Sequence, residues 1–474
     1  MKNNIGNIYH AKGDYNDAIH AYTDALNIKR KQLGAEHLDV ASAYCNIGDV
    51  QAKRKFYSDS LEMYEVALSI IEKRHGSNHL ENAATLKSIA KIHQIQGNTK
   101  ALIFTLEKEV DIRRNLLGIK HASLIQPLTI LGRSYHELRQ LDAALLSYRE
   151  ALYLIEQHLK DLSTTTVHQI GCDGAAETSS TADSVAIKHQ QSDALGNFSD
   201  VLRKIGLVCL DKEEPDKALA AFRASLKYKV RQLGQSSLEV ALILENIALC
   251  LFMKGDYHDA ASSFLEALRV KKLNLGEDSD EVATTLNNLG NVYYTLGELK
   301  LAMENYAKAF LLKKSFLGDD HLDLATMLNN IGSIYAEEGE IDEAIETYQE
   351  ALRIREKRLG DKDLLVASTL INLGDIYLRK MNVDASLESY NQALRIRSLK
   401  LGDEDVEVAY VLEKIGNAYA EDGDHKRAVE FYFDAAKVRE HVGGKESLDY
   451  ALSVEKIACQ SRLSKRFRLL QLPS

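Results

Sequence analysis

Residues 317–360 read LGDDHLDLATMLNNIGSIYAEEGEIDEAIETYQEALRIREKRLG, and the pattern of residues in this stretch predicts the fold. Apolar residues recur three and four positions apart on both sides of the Gly339-Glu340 pair, as they do along one face of a helix. Glycine favours the left-handed conformation that ends a helix, and an acidic residue after it can cap the next helix. The stretch therefore predicts two amphipathic helices joined by a tight turn.

The same hairpin returns every 42 residues along the chain. An Ile-Gly or Leu-Gly pair, with Ala at some positions, keeps this step except between Gly132 and Gly206, which lie 74 residues apart. No single hairpin can bury its apolar face alone, so stacked neighbours must supply the core. We call the small residue of each repeat its landmark, and the landmarks are Gly6, Gly48, Ala90, Gly132, Gly206, Ala248, Gly290, Gly332, Gly374, Gly416 and Ala458.

This register predicts an all-α protein, a right-handed superhelical α-solenoid of antiparallel helical hairpins. Residues 1–159 should hold about four hairpins, and residues 194–463 about six hairpins and a terminal helix, which is either a cap or the start of further repeats. Residues 160–193 are rich in Ser and Thr and lack an apolar face, which predicts a disordered insertion, either a tolerated loop or a regulated phosphorylation segment. Residues 464–474 form a basic apolar tail, interpreted as a truncated helix or as a docking segment.

Composition narrows the function classes. The formal net charge of −10 argues against a nucleic-acid binder, because such proteins neutralise phosphates with Lys and Arg. The five cysteines show no CxxC spacing and no disulfide framework, which is typical of reduced thiols in the cytosol. No signal peptide and no membrane span is evident, so we expect a cytoplasmic protein. Phosphate-binding loops, nucleophile elbows and HExxH pairs are missing, so we expect neither an enzyme nor a cofactor.

The repeats resemble the tetratricopeptide repeat, whose first helix carries Leu-Gly and Tyr and whose second carries Ala, an aromatic residue and Ala. This order is matched by Gly332, Tyr335, Ala344, Tyr348 and Ala351. The 42-residue period looks like the kinesin light chain subgroup, over roughly residues 1–159 and 194–463. Light chains carry a heptad segment that binds the motor heavy chain, and none is evident here. The resemblance therefore concerns the type of repeat.

The resemblance also implies that first helices line a concave groove, with residues three before, two before and one after each landmark pointing into it. Asn amides dominate these positions, and such a ladder can pair with the backbone of an extended peptide. Alternatively, the amides bridge adjacent helices. The candidate groove residues are Asn46, Asn246, Asn287, Asn288, Asn291, Asn329, Asn330, Asn372, Lys414 and Asn417.

Cationic groove positions could select acidic residues or a terminal carboxylate in a ligand, or could be ordinary solvated charges. They are Lys87, Lys91, Arg133, Arg203, Lys204, Lys414 and Lys456. Four histidines recur at one corner of different repeats, too far apart to share a metal ion, so we expect helix-start capping and no metal site. These are His37, His79, His121 and His321.

The expected function is therefore a protein-binding scaffold that captures peptide segments of partner proteins. The resemblance suggests a cargo adaptor in microtubule-based transport, with a kinesin heavy chain as a candidate partner and an association with the cytoskeleton. The alternative is the sensor or regulatory portion of a larger signalling NTPase or protease-linked protein.

Overall fold

The hairpin predicted from residues 317–360 is present, and its packing explains the repeated pattern. In the computed structural model, which describes residues 2–172 and 180–470 and the side chains of residues 2–162 and 189–463, Ala344 and Ala351 are fully buried. A Cβ atom added to Gly332 would lie 2.8 Å from the Tyr348 ring. Glycine on the first helix therefore leaves the space that the aromatic ring of the second helix fills.

The prediction of an all-α fold is confirmed, because the described residues form 21 α-helices and one 3₁₀ helix and contain no strand. The chain divides into two compact units, residues 1–256 and 257–474. The first unit contains α1 (Lys2–Lys12), α2 (Tyr15–Leu33), α3 (Leu38–Lys53), α4 (Tyr57–His75), α5 (Leu80–Ile95), α6 (Thr99–Leu117), α7 (Ile125–Glu137), α8 (Leu141–Cys172), α9 (Ser180–Asp211), α10 (Pro215–Leu233) and α11 (Leu238–Lys254). A 3₁₀ turn at Ala122–Leu124 precedes α7.

The second unit continues the alternation of helices in the same register. It contains α12 (Tyr257–Leu275), α13 (Asp280–Thr295), α14 (Leu299–Leu317), α15 (Leu322–Glu338), α16 (Ile341–Leu359), α17 (Leu364–Arg379), α18 (Val383–Leu401), α19 (Val406–Glu421), α20 (His425–Gly443) and α21 (Leu448–Leu470). Odd-numbered helices are the first helices of the hairpins and carry the landmarks, and even-numbered helices are the second helices.

Glycines in the left-handed region produce the turns, as the sequence predicts. Gly339 has φ +85° and ends α15, and Gly360 has φ +84° and ends α16. The acidic residue that follows such a glycine caps the next helix at Asp424, whose side chain accepts a hydrogen bond from the Arg427 N–H at 3.0 Å. The Glu340 side chain makes no such bond, so the cap after Gly339 is the turn alone.

Buried and half-buried basic residues on second helices hold the hairpins together. Arg355 is 4% exposed, and its Nη1 donates to the Leu365 carbonyl at 2.9 Å and to Thr369 Oγ1 at 2.6 Å. The bonds satisfy carbonyl and hydroxyl groups in the first turns of the following first helix, and a buried cation persists only with such partners. Equivalent bonds or ion pairs to the following helix are made by Lys29, Lys271, Lys313, Arg397 and Arg439.

The described parts of residues 160–193 and of the basic apolar tail are helical. α8 is helical to Cys172 and α9 begins at Ser180, so the described parts of residues 160–193 lengthen the two flanking helices. Helix-forming residues such as those of IEQHLKDL, at 155–162, explain the continuation. Residues 173–179 lie outside the described residues. α21 likewise runs to Leu470, through much of the predicted tail, whose residues 471–474 also lie outside the description.

Candidate peptide-binding face

All ten predicted groove residues lie on first helices, and all ten are half-buried. They lie on α3, α11, α13, α15, α17 and α19, at the three positions around the landmarks where the sequence placed them. We call the surface formed by these positions the first-helix face, and we describe it separately in each unit. Half-burial means that these polar groups are partly desolvated, so each unused donor or acceptor has a free-energy cost.

In the second unit, several groove residues bridge successive first helices, which was the alternative interpretation. Asn330 Nδ2 donates to Asn291 Oδ1 at 3.1 Å, and the Tyr306 hydroxyl donates to the same oxygen at 2.7 Å. Lys414 Nζ lies 2.9 Å from both carboxylate oxygens of Asp375. The residue two before one landmark thus donates to the residue one after the preceding landmark, and we call this pairing a seam.

Asn417 joins the same seam pattern one repeat further along. Its Oδ1 accepts a hydrogen bond from the Tyr432 hydroxyl at 2.8 Å and from Lys456 Nζ at 3.4 Å. In the first unit, Asn46 Nδ2 donates to Asn3 Oδ1 at 3.2 Å. The amides of Asn46, Asn291, Asn330 and Asn417 therefore stabilise the stacking of hairpins, a role that also keeps their positions fixed.

Other groove amides keep unused hydrogen-bonding capacity. Asn287 Oδ1 and Asn329 Oδ1 are buried and accept no hydrogen bond. Neither Asn288 nor Asn372 makes a side-chain hydrogen bond to any other described residue, and Asn372 lines a cavity of about 160 Å³ together with side chains of α13, α15 and α17. The amides of Asn288 and Asn372, on a half-buried face, are available to a peptide backbone, whereas the Oδ1 atoms of Asn287 and Asn329 are enclosed.

The first unit has a cationic version of the seam between α7 and α9. Lys204 stands at the donor position, but the acceptor position is occupied by Arg133, which is also a donor. Burial lowers the pKa of Lys204; the Asp200 carboxylate opposes this shift, and the charges of Arg133 and Arg203 add to it. Within the described part of the chain, neither Lys204 nor Arg203 forms an ion pair. This seam therefore lacks an acceptor for its donors.

A cavity of about 380 Å³ opens on the same face between α5 and α7. It lies where other hairpins place a tyrosine ring, because position 106 is Leu. Glu109, at a position that is Ala in most hairpins, lines it and is 1% exposed. Glu109 Oε1 pairs with Arg113 Nε at 2.8 Å, whereas Oε2 has no partner. Burial raises the pKa of the Glu109 carboxyl, against the opposing charges of Arg113 and Lys87.

Sequence reasoning missed Glu109, although a signal was present. The equivalent position is Ala in hairpins such as those of Ala67, Ala151 and Ala351, and a single carboxylate in that column marks an anomaly. Lys87 and Lys91, which the sequence predicts at groove positions, lie on the rim of this cavity. The cavity thus combines an apolar wall, one unsatisfied carboxylate oxygen and two exposed cations.

The histidines at the repeat corners cap helices, as the sequence predicts. His321 Nδ1 accepts a hydrogen bond from the Asp323 N–H at 3.2 Å, and His37 and His121 accept the equivalent bonds.

No helix of the described residues has the length and apolarity that crossing a lipid bilayer requires.

Comparison with known proteins places these repeats in a family. The tetratricopeptide repeat model matches residues 1–73, 39–101, 198–273, 239–315, 281–357 and 365–441, and a second model of the same repeat matches residues 125–158. No curated protein matches the chain.

Several solved structures are similar in fold. The apo form of RapI is 14% identical with a TM-score of 0.53, over 85% of this chain and 98% of that one. BtubC (BKLC) from P. vanneervenii is 22% identical with a TM-score of 0.41, over 52% of this chain and 92% of that one. A putative kinesin light chain from Podosopora anserina with nearly identical TPR-like repeats is 16% identical with a TM-score of 0.39, over 44% and 98%. Because the family model covers most of the sequence, the chain belongs to the tetratricopeptide repeat family.

Proposed function

We propose that this protein is a scaffold that captures extended peptide segments of partner proteins on its first-helix face. Tetratricopeptide repeats support a protein-interaction scaffold in general, and the observation that carries the finer proposal is the unused hydrogen-bonding capacity of this face. Within the described part of the chain, the amides of Asn288 and Asn372 make no side-chain hydrogen bond and lie on this half-buried face. A peptide backbone supplies alternating donors and acceptors of this kind.

The two units favour different parts of a ligand. In the second unit the free groups are neutral amides, which pair with a peptide backbone whatever its side chains. In the first unit Arg203 and Lys204 form no ion pair within the described residues, and Arg133 pairs with Glu137 of its own helix at 3.7 Å; this cationic surface favours Asp, Glu or a terminal carboxylate in the ligand. We therefore propose that the second unit binds the peptide backbone and that the first unit binds acidic groups of the ligand.

The amide proposal is tested with the double variant Asn288→Ala and Asn372→Ala in a peptide-array binding assay. We expect binding to fall at least tenfold while the helical circular dichroism is unchanged, because each amide lost leaves the peptide backbone unpaired. A matched control is Asn305→Ala together with Asn391→Ala, since these amides lie on second helices and bond only to carbonyls of their own helices. Equal binding by the double variant and the parent would refute the site assignment.

The family resemblance supports a more specific role, that of a kinesin light chain-like cargo adaptor that acts in the cytoplasm in association with the cytoskeleton. A kinesin heavy chain is then one partner and the captured peptide belongs to cargo. The test is co-purification from native cell extract with purified motor heavy chain as a direct binding control. If the heavy chain fails to bind the full chain in both formats, the adaptor role is rejected while peptide capture remains testable.

A further inference from the structure

The corner between the second and third hairpins is chemically unlike the other corners. His75 ends α4 and His79 precedes α5, and His75 Nδ1 lies 3.0 Å from His79 Nε2. The Glu81 carboxylate lies 4.0 Å from His79 Nδ1, and one ligand atom from each of the three residues lies within 4.8 Å of the others. The four capping histidines were too far apart for a shared ion, but His75 is a fifth histidine beside one of them.

Two substitutions at this corner set it apart from its equivalents. The position of His75 is Leu at most other corners, namely at Leu33, Leu117, Leu233, Leu275, Leu317, Leu359 and Leu401. The position of Asn82 is Val or Leu in the equivalent helices α3, α11, α13, α15, α17 and α19. Both changes replace an apolar side chain by a polar one at the same corner. Packing alone would favour an apolar residue at each position.

Asn82 holds the loop between the two histidines in place. It is fully buried, and its Nδ2 donates to the carbonyl oxygens of Gly76 at 2.8 Å and of Ser77 at 3.0 Å. Gly76 itself has φ +80°, a backbone conformation that residues other than glycine rarely adopt. The loop that sets the distance between His75 and His79 is therefore fixed by its own interior bonds, so the imidazoles are brought together before any ligand arrives.

We propose that His75, His79 and Glu81 form a binding site for a divalent transition-metal ion of the zinc type. Two imidazoles and a carboxylate are ligands that suit Zn²⁺, Ni²⁺ or Cu²⁺ better than Mg²⁺ or Ca²⁺. Nitrogen ligands of a tetrahedral zinc stand about 3.4 Å apart, given bonds of about 2.0–2.1 Å. The exposed His75 ring reaches that separation from its present 3.0 Å by a small side-chain rotation.

Binding changes the proton on one histidine without changing the net charge of the pair. His79 Nδ1 now accepts from the Glu81 N–H at 3.3 Å, so the proton of neutral His79 is on Nε2 and is donated to His75 Nδ1. A metal bound to His75 Nδ1 and His79 Nε2 requires that proton to move to His79 Nδ1, which gives up the cap bond from the Glu81 N–H. The Glu81 carboxylate then accepts a hydrogen bond from Nδ1–H or binds the metal. Water completes the coordination on this exposed surface. The ion would link the end of α4 to the start of α5.

The test titrates Zn²⁺ alone into the full chain, with calorimetry as the readout and the zinc-dependent shift of the unfolding midpoint as the second measurement. We expect His75→Leu, which introduces the residue found at the other corners, to weaken binding about tenfold or more. His79→Ser is expected to do the same while keeping the helix cap, because Ser237 and Ser279 cap α11 and α13 at the equivalent position.

The matched control is His321→Ser, which changes a capping histidine whose neighbour four residues earlier is Leu317. It should leave zinc affinity and the zinc-dependent stabilisation at the parent values. If His75→Leu and His79→Ser bind zinc as tightly as the parent, or if His321→Ser weakens binding equally, the metal belongs elsewhere and the proposal is overturned.

Discussion

Two regions share the same repeat register, α5–α9 in the first unit and α15–α19 in the second. They differ in whether the small, aromatic and hydrogen-bond-acceptor positions of the repeat hold the usual types of residue. In the second, Tyr348 fills the space beside Gly332, Ala351 is fully buried, and Asp375 accepts from both Tyr390 and Lys414. In the first, the aromatic ring is replaced by Leu106, the small residue by Glu109 and the seam acceptor by Arg133.

This difference distinguishes the residues that stabilise the repeat from the residues that a binding site requires. A solenoid hairpin is stable when its small, aromatic and acceptor positions are all occupied as in α15–α19, since the ring then fills the space beside the glycine and the seam donor has an acceptor. The first region departs at all three positions, and each departure leaves a cavity, a bare carboxylate oxygen or unmatched cations on the first-helix face. Natural proteins retain such departures mostly at functional sites.

The largest effect is expected from moving the carboxylate of the first region into the second. Ala351→Glu places an ionisable group at a fully buried position, and the counterpart of Arg113 there, Arg355, is already engaged with the Leu365 carbonyl and Thr369 Oγ1. We expect the free energy of unfolding to fall by about 3–5 kcal/mol, measured by urea denaturation. Ala351→Gln is the uncharged control of the same size as Glu, and a loss below about 1 kcal/mol for the Glu variant would contradict the comparison.

The second prediction restores the regular packing in the third hairpin. Leu106→Tyr alone should clash, since a Cβ added to the glycine of other hairpins would lie only 2.4–3.0 Å from the ring and Ala90 already carries that Cβ. Ala90→Gly with Leu106→Tyr should remove the clash and fill the cavity, which raises the free energy of unfolding of the double variant above that of Leu106→Tyr by about 2 kcal/mol. A double-variant cycle measured by denaturation gives this coupling, and additive effects of the two changes would show that the ring does not enter the cavity.

The sequence predicts the hairpins, the small and aromatic positions and the turn glycines, because each depends on spacing within one repeat. It does not predict which groove amides are free. Asn291 and Asn288 are alike in sequence, yet Asn291 accepts from Tyr306 and Asn330 while Asn288 has no partner among the described residues. Whether an amide is bonded depends on the displacement between successive hairpins. The length of the sequence repeat does not determine that displacement. His75 was missed for the same reason, since its neighbour is defined by a loop conformation.

The third prediction concerns the pH dependence that Glu109 introduces. Its pKa in the folded protein is raised by burial, so the unfolded chain loses this proton at lower pH and the folded state is destabilised as pH rises above about 4.3, the value for an exposed Glu. Glu109→Gln keeps the shape without the charge, and at pH 7 we expect it to be more stable than the parent by about 1–2 kcal/mol.

That advantage should shrink as pH falls towards 4, because the carboxyl of the parent is then protonated in both states. Denaturation at pH 4, 5.5 and 7 measures it, and Glu150→Gln is the control because its carboxylate pairs with Arg114 and is partly exposed. A difference between Glu109→Gln and the parent that stays constant from pH 4 to 7 would mean that the buried carboxyl is not the source of the effect.

The smallest effect is expected from completing the seam between α7 and α9. Arg133→Asp places a carboxylate one residue after the landmark, where Asp375 accepts from Tyr390 at 2.5 Å and from Lys414 at 2.9 Å. The Tyr148 hydroxyl and Lys204 are the corresponding donors, so the free energy of unfolding should rise by about 1 kcal/mol. Arg133→Ala removes the positive charge without adding an acceptor and should give less than half of that gain.

The same variant separates stability from ligand binding, because the cations that destabilise the seam are those proposed to bind acidic groups. Arg133→Asp should weaken binding of a Glu-rich peptide to the full chain while binding of the same peptide with Gln in place of Glu changes little, measured by fluorescence anisotropy at two salt concentrations. If the seam becomes more stable and the acidic peptide still binds as before, the cations of the first region serve the fold alone, and the contrast between the two regions has no bearing on ligand choice.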